Sequence, residues 1–247
     1  MKIIISPAKK MVVDTDSLPV QSEPVFLEDT EKIKNYIQDL SYGEAKKLWG
    51  CNDKIAELNF ARFREMDLHR NQTPAVLSYE GIQYQYMAPA VFTDDALSYI
   101  QEHLRIISGF YGVLKPLDGV VPYRLEMQAK AEVEGRDNLY DFWGDNIYRN
   151  VLDKDRIIIN LASKEYSKCI EHYLEPDDIF ITCVFGELKE GKVIQKGTLA
   201  KMARGEMVRY MAENHVTDLG QLKEFAGLGY QYEKEISKER EYIFLKK

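Results

Sequence analysis

Arg156-Ile157-Ile158-Ile159-Asn160-Leu161-Ala162-Ser163-Lys164-Glu165-Tyr166 is the stretch on which the fold turns. Its first half is short and continuously apolar. That is the pattern of a central strand covered on both faces, not the alternation of a half-solvated one. Its second half changes to a helical pattern, expected from Ser163 to Leu174. The carboxyl end of a strand beside a helix N-terminus is where open α/β sheets tend to bind ligands. Free N–H groups and the helix dipole favour an anion there. Asn160 and Ser163 can add side-chain hydrogen bonds, or act simply as a turn residue and an N-cap.

The same theme appears at the start of the chain. Ile3 to Ile5 reads as a buried strand, and Ser6-Pro7-Ala8-Lys9 leaves its end. Lys9 either faces an anion or is merely solvated. Ala75 to Leu77, Arg105 to Gly109 and Ile179 to Phe185 read as further strands. Residues 11 to 28, with two prolines and little periodicity, read as loop. Three short helices follow between Glu31 and Met66. Thr30 is expected to cap the first, to about Leu40. Ser41 opens the second with Glu44 three residues on, a capping-box pattern, and Asn52 caps the third. Later helices are expected from Thr93 to Leu104, Leu139 to Leu152, Leu199 to Asn214, and from a Thr217 cap to Phe225. Glu190-Gly191-Lys192 reads as a turn and Tyr230 to Leu245 as a closing hairpin. Together these give an α/β, mixed α+β fold with a mixed sheet surrounded by helices. The order of the strands is not legible.

Composition narrows the class. The 247 residues are 45% hydrophobic, enough for one sizeable core, and no Pro/Gly/Ser-rich stretch divides them; residues 1–247 are read as one domain. The 33 basic and 40 acidic residues leave a net charge of -7. That is not the overall field of a generic nucleic-acid binder, so any DNA contact must come from a local basic surface. Cys51, Cys169 and Cys183 are far apart and odd in number, which argues against a disulfide framework and for a reducing, cytoplasmic setting. No apolar run approaches the ~18 residues of a membrane span. The four histidines are scattered. Cys169 and His172 can meet on a helix, but two ligands are not a metal site. No Walker A, GxGxxG, HExxH or GxSxG motif is present, so neither a metal nor a cofactor is expected.

Two charged groupings stand out. In Pro122-Tyr123-Arg124-Leu125-Glu126-Met127, an extended backbone puts Arg124 and Glu126 on one face and Tyr123, Leu125 and Met127 on the other. The charged pair is either a structural ion pair or part of a site. Between Lys192 and Arg209, Lys192, Lys196, Lys201, Arg204 and Arg209 stand against Glu206 alone, a net of +4. On a helix, Leu199, Ala203, Met207, Tyr210 and Met211 form the apolar stripe. Lys201 and Arg204 are neighbours off it. Gly205 is unfavourable inside a helix, and a close approach by another backbone or a ligand accounts for it.

Seven pieces, in order along nearly the whole chain, give a resemblance. They are Ile5-Ser6-Pro7-Ala8-Lys9, Ser108-Gly109-Phe110-Tyr111-Gly112, Lys115-Pro116-Leu117-Asp118, Pro122-Tyr123-Arg124-Leu125-Glu126-Met127, Phe142-Trp143-Gly144, Asn160-Leu161-Ala162-Ser163-Lys164-Glu165-Tyr166 and Lys201-Met202-Ala203-Arg204-Gly205. The chain resembles the YaaA family of peroxide-stress proteins. The resemblance implies a role in the hydrogen-peroxide response, a lowering of free intracellular iron, a helix-hairpin-helix element and a positively charged cleft that binds DNA. The helix-hairpin-helix would lie within Ser41 to Met66, turning at Trp49-Gly50-Cys51-Asn52, with Lys46, Lys47 and Lys54 nearby. Only Gly50 is present where that motif usually carries two glycines, so a plain helical hairpin is the other reading. The expected anion-binding set is therefore Lys9, Arg124, Asn160, Ser163, Lys201 and Arg204, with Lys46, Lys47 and Lys54 at the hairpin. Glu126 is the candidate catalytic group if the cleft instead belongs to an enzyme acting on a phosphate- or nucleotide-bearing substrate.

Overall fold

In the computed structural model, which describes all of residues 1–247, eight strands form one sheet. They are β1 (Lys2–Ile5), β2 (Leu104–Ser108), β3 (Gly112–Leu114), β4 (Ile157–Leu161), β5 (Ile179–Lys189), β6 (Lys192–Ile194), β7 (Tyr230–Tyr232) and β8 (Glu241–Lys246). The order is β7-β8-β5-β4-β1-β2-β3, with β6 pairing the far end of β5. The pairs β2/β1, β1/β4, β4/β5 and β5/β8 are parallel; β2/β3, β5/β6 and β7/β8 are antiparallel. The expected mixed sheet and the closing hairpin are both present. Ile3, Ile4 and Ile5 are fully buried because β1 lies inside the sheet, between β4 and β2.

Eleven helices surround the sheet: α1 (Leu27–Asp39), α2 (Tyr42–Trp49), α3 (Asp53–Arg64), α4 (Ala75–Ser78), α5 (Ile82–Met87), α6 (Asp94–His103), α7 (Leu139–Trp143), α8 (Asn146–Val151), α9 (Lys164–Glu171), α10 (Gly197–Glu213) and α11 (Leu219–Leu222). Ser41 and Glu44 form the capping box of α2. Asn52 caps α3 and Thr93 caps α6 through their side chains. One cluster of 63 buried apolar residues runs through sheet and helices.

Four expectations need correction. Ala75 to Leu77 is not a strand but the single turn α4. The N–H groups of Ala75 and Val76 bond the carbonyls of Asp118 and Pro116 instead of a sheet neighbour. A short apolar run cannot distinguish the two by periodicity. Leu139 to Leu152 is two helices, because Gly144 (φ +51°) breaks the run. Thr30 lies inside α1 and donates its hydroxyl to the carbonyl of Phe26. Asp218, not Thr217, caps α11, accepting from the N–H groups of Gly220 and Gln221. No helix is long and apolar enough to cross a membrane.

Candidate anion-binding cleft

The carboxyl ends of the adjacent parallel strands β1 and β4 open into a cleft of about 480 Å³. Ser6 to Lys9 leave β1 on one side, and Ser163 and Glu165 follow β4 on the other. The two strand ends are tied together, because the Ser163 N–H donates to Ser6 Oγ at 2.8 Å. Ser163 occupies the N-cap of α9 but makes no side-chain cap bond; its hydroxyl stands 3.3 Å from that of Ser6.

The next wall is the segment Tyr123–Glu126. Its side chains alternate as the sequence dictates: Tyr123, Leu125 and Met127 are buried, while Arg124 and Glu126 face the cleft. Gly109 makes this possible. A Cβ there would stand 2.9 Å from the Leu125 carbonyl oxygen, so only glycine lets the two backbones meet. The Tyr123 hydroxyl meets Ser108 Oγ at 2.6 Å and the Tyr79 hydroxyl at 2.8 Å, and burial pushes its pKa up to about 12. The wall is therefore anchored by neutral hydrogen bonds below and presents charge above.

Glu126 organises the cations of that wall. Its Oε2 lies 2.7 Å from Lys9 Nζ and its Oε1 accepts from Arg124 Nη2 at 3.1 Å. Lys10 similarly pairs with Glu80 at 2.7 Å.

The remaining walls come from α5 and α10. A Cβ at Gly205 would lie 2.1 Å from the carbonyl oxygen of Gln83, so Gly205 lets α10 rest directly on α5. The close approach expected at Gly205 is to another backbone. It sets Arg204 and Lys201 of α10 beside Gln83 and Tyr84 of α5. Tyr84 in turn donates its hydroxyl to the carbonyl of Ser6 at 3.0 Å. Neither Lys201 nor Arg204 has a carboxylate partner within ion-pair distance. Burial holds the Arg204 guanidinium below its ordinary pKa, opposed by the nearby Cys183. Burial raises the Cys183 thiol to about 12, with Arg204 opposing that shift.

Three buried donors on this lining, Arg124 Nε, Arg204 Nε and Gln83 Nε2, find no acceptor within the chain. Glu165 adds an acid without a cation: its Oε1 accepts the Gln128 N–H at 3.3 Å, and burial, with Glu126 nearby, raises its pKa.

Of the residues expected at the site, Lys9, Arg124, Glu126, Ser163, Lys201 and Arg204 line this one cleft. Asn160 does not. It is 3% exposed; its amide donates to Thr182 Oγ1 at 3.2 Å and accepts from the Ala162 N–H at 2.9 Å, so it shapes the strand end. Gln83, Tyr84, Glu80, Lys10 and Tyr166 also line it and had no site signal of their own in the sequence. Uncharged residues on a short helix give no pattern, whereas Ser6, Glu165 and Tyr166 lay unremarked inside quoted motifs.

A second compartment of about 770 Å³ adjoins the first across Lys9, Arg124 and Glu126, which line both. Its far side is built by Tyr36, Leu48 and Trp49 together with Lys47 and Lys130. The α2–α3 pair is a helical hairpin. Gly50 (φ +55°) closes α2, its N–H bonding the carbonyls of Lys46 and Lys47, so that N–H is not turned outward. Lys46 pairs with Asp53 at 2.5 Å, and Lys54 is an exposed residue of the first turn of α3, apart from the cleft lining.

The family profile described as peroxide stress protein YaaA matches residues 1–236. The chain belongs to the YaaA family. It is 57% identical over 247 residues to a UPF0246 protein of Agathobacter rectalis, an alignment covering 100% of this chain and 99% of that protein. It is 56% identical over 246 residues to a UPF0246 protein of Lachnoclostridium phytofermentans (100% and 96% covered). A UPF0246 protein of Pediococcus pentosaceus is 52% identical over 246 residues (100% and 98% covered). YaaA membership supports a role in peroxide stress.

Proposed function

We propose that this cleft holds the phosphate of a nucleic acid, and that the protein acts in the cytoplasm during peroxide stress by binding DNA without sequence preference. One observation carries the reading: Arg124 Nε, Arg204 Nε and Gln83 Nε2 are buried around one cleft without acceptors. Each buried donor left unpaired costs about 1–3 kcal/mol. A phosphate offers several acceptor oxygens and the negative charge that Lys201 and Arg204 lack. The lining holds five cations (Lys9, Lys10, Arg124, Lys201, Arg204) against three carboxylates (Glu80, Glu126, Glu165), a local +2 in a chain of net -7.

The lowering of free iron that the family resemblance implies enters this proposal as an indirect effect of DNA binding. No three His, Cys, Asp or Glu side chains converge as a ligand set.

The test is fluorescence anisotropy with labelled DNA. Arg204→Ala is expected to weaken binding about tenfold and to reduce the salt slope by roughly one phosphate's worth. Unchanged affinity would remove the cleft from DNA binding.

A second reading, an enzyme acting on a phosphate-bearing substrate, is favoured by Glu165. A half-buried carboxyl with a raised pKa and no cation paired to it suits proton transfer more than phosphate binding.

A further inference from the structure

We propose that the nucleic acid enters this cleft as a single extrahelical or terminal nucleotide, with the adjoining unpaired strand laid through the second compartment. The proposal rests on the nucleic-acid reading of the cleft and specifies its substrate.

Depth is the first argument. Phosphates on an intact duplex lie on the outside of a broad rod and can meet exposed cations such as Lys9, Lys10 and Lys201. Arg124, with its side chain 11% exposed, and Gln83, 7% exposed, stand on the wall of a concavity of about 480 Å³. That volume is in the range of small-ligand sites, about 300–1,000 Å³, and admits one nucleotide but not a double helix.

The lining chemistry is the second. A site for phosphate alone gains nothing from Glu165, which repels the ligand and is paired with no cation. A nucleotide supplies donors as well as acceptors, from the exocyclic amines and ring N–H groups of its base and, at a 3′ terminus, one sugar hydroxyl. Phosphate oxygens then face Arg124, Lys201 and Arg204. The Glu165 carboxyl and the Gln83 amide face the rest of the nucleotide against Ile82, Tyr84 and Tyr166.

Continuity is the third. The wall of Lys9, Glu126 and Arg124 stands between two adjoining compartments and lines both. Beyond it lie Tyr36 with Lys47 and Lys130, among the acids Glu44 and Glu132, and the 4%-exposed Trp49 backs that wall. The Trp49 indole N–H has no acceptor in the chain. Aromatic surface interleaved with cations along a trough is the pattern of single-strand recognition. Extrusion from a duplex costs a few kcal/mol, least at a damaged, mismatched or already unpaired base. Such a cleft therefore selects DNA that is already locally broken.

The experiment compares two unlabelled competitors, at equal phosphate, for a fluorescent 5′-phosphorylated single strand. One is an oligonucleotide duplex carrying one unpaired nucleotide; the other is relaxed, covalently closed circular duplex, which has no ends. The interrupted duplex is expected to compete at least about tenfold better. Gln83→Leu is expected to remove most of that advantage. Since the replaced amide nitrogen has no partner in the free protein, this variant should melt no lower than the parent, which separates lost binding from lost folding. Equal competition by the two DNAs overturns the proposal and leaves the phosphate reading standing. Binding of no DNA at all, with calorimetric binding of free AMP, overturns both.

Discussion

Glu126 holds two cations at once, Lys9 at 2.7 Å and Arg124 at 3.1 Å, and both belong to the cleft lining. Converting it to glutamine keeps an oxygen in place and removes the charge that competes with phosphate. Glu126→Gln is thus expected to bind DNA as well as the parent or slightly better. Carried as the only copy in cells, it is expected to lose peroxide protection if Glu126 transfers a proton. Normal affinity with full survival would confine Glu126 to orienting Arg124. Glu165 gives a pH signature of its own. Its folded-state pKa is raised above the ordinary glutamate value, chiefly by burial. Its contribution to stability is thus fully present below that value and is lost as pH rises through the raised one. Glu165→Gln, which keeps the acceptor for the Gln128 N–H, should raise the melting temperature at pH 7 and leave it unchanged near pH 4. An equal gain at both values would reject burial of the charge as the cause. At this scale the sequence was legible where charge met periodicity: Arg-x-Glu in an extended segment fixes a common face. Gln83 was not legible, because its importance comes from what surrounds it.

Helix α10 reaches the cleft only because Gly205 admits the backbone of α5. With a Cβ 2.1 Å from the Gln83 carbonyl oxygen, Gly205→Ala must push the two helices apart. The expected cost is about 3 kcal/mol, at the upper end of overpacking, read from chemical denaturation. Binding should fall as well, since Arg204 and Gln83 sit on the two elements being separated. Ser41→Ala, which removes the capping box of α2, is expected to cost only ~1 kcal/mol and to spare the cleft. Element boundaries followed local chemistry wherever a side chain makes the cap, as at Ser41, Asn52 and Thr93. They failed where backbone partners came from elsewhere. Ala75 and Val76 turn into α4 because the 116–118 loop takes their N–H groups, and no property of Ala-Val-Leu announces that.

Across the whole molecule, a net charge of -7 opposes any polyanion, while the lining of the cleft carries a local excess of cations. Binding should therefore be short-ranged, with few counterions released. The slope of log affinity against log salt is expected to be about -2 to -3, the signature of a few phosphates. A slope near zero would reject an electrostatic cleft, and a much steeper one would point to a wider surface. Elemental analysis of protein purified without chelator is expected to find no stoichiometric iron; one tightly held iron per chain would direct attention to its carboxylates. Strand order escaped the sequence for a physical reason. β1 pairs with β2 about a hundred residues on and with β4 about another fifty beyond that, and periodicity carries no record of which distant strand a buried strand will meet.

That placement of β1 also sets a schedule for synthesis. As the chain leaves the ribosome, its first strand finds no sheet neighbour until Leu104–Ser108 emerges, and its other edge waits for Ile157–Leu161. Domains are generally completed as units during translation at about 5–20 residues per second. The apolar Ile3-Ile4-Ile5 run is therefore without its final partners for many seconds, a hazard that chaperones exist to manage. The cleft needs both Ser6 and Arg204, which are far apart along the chain. A translation product that stops short of Arg204 therefore lacks a wall of the cleft, however well its earlier residues have folded.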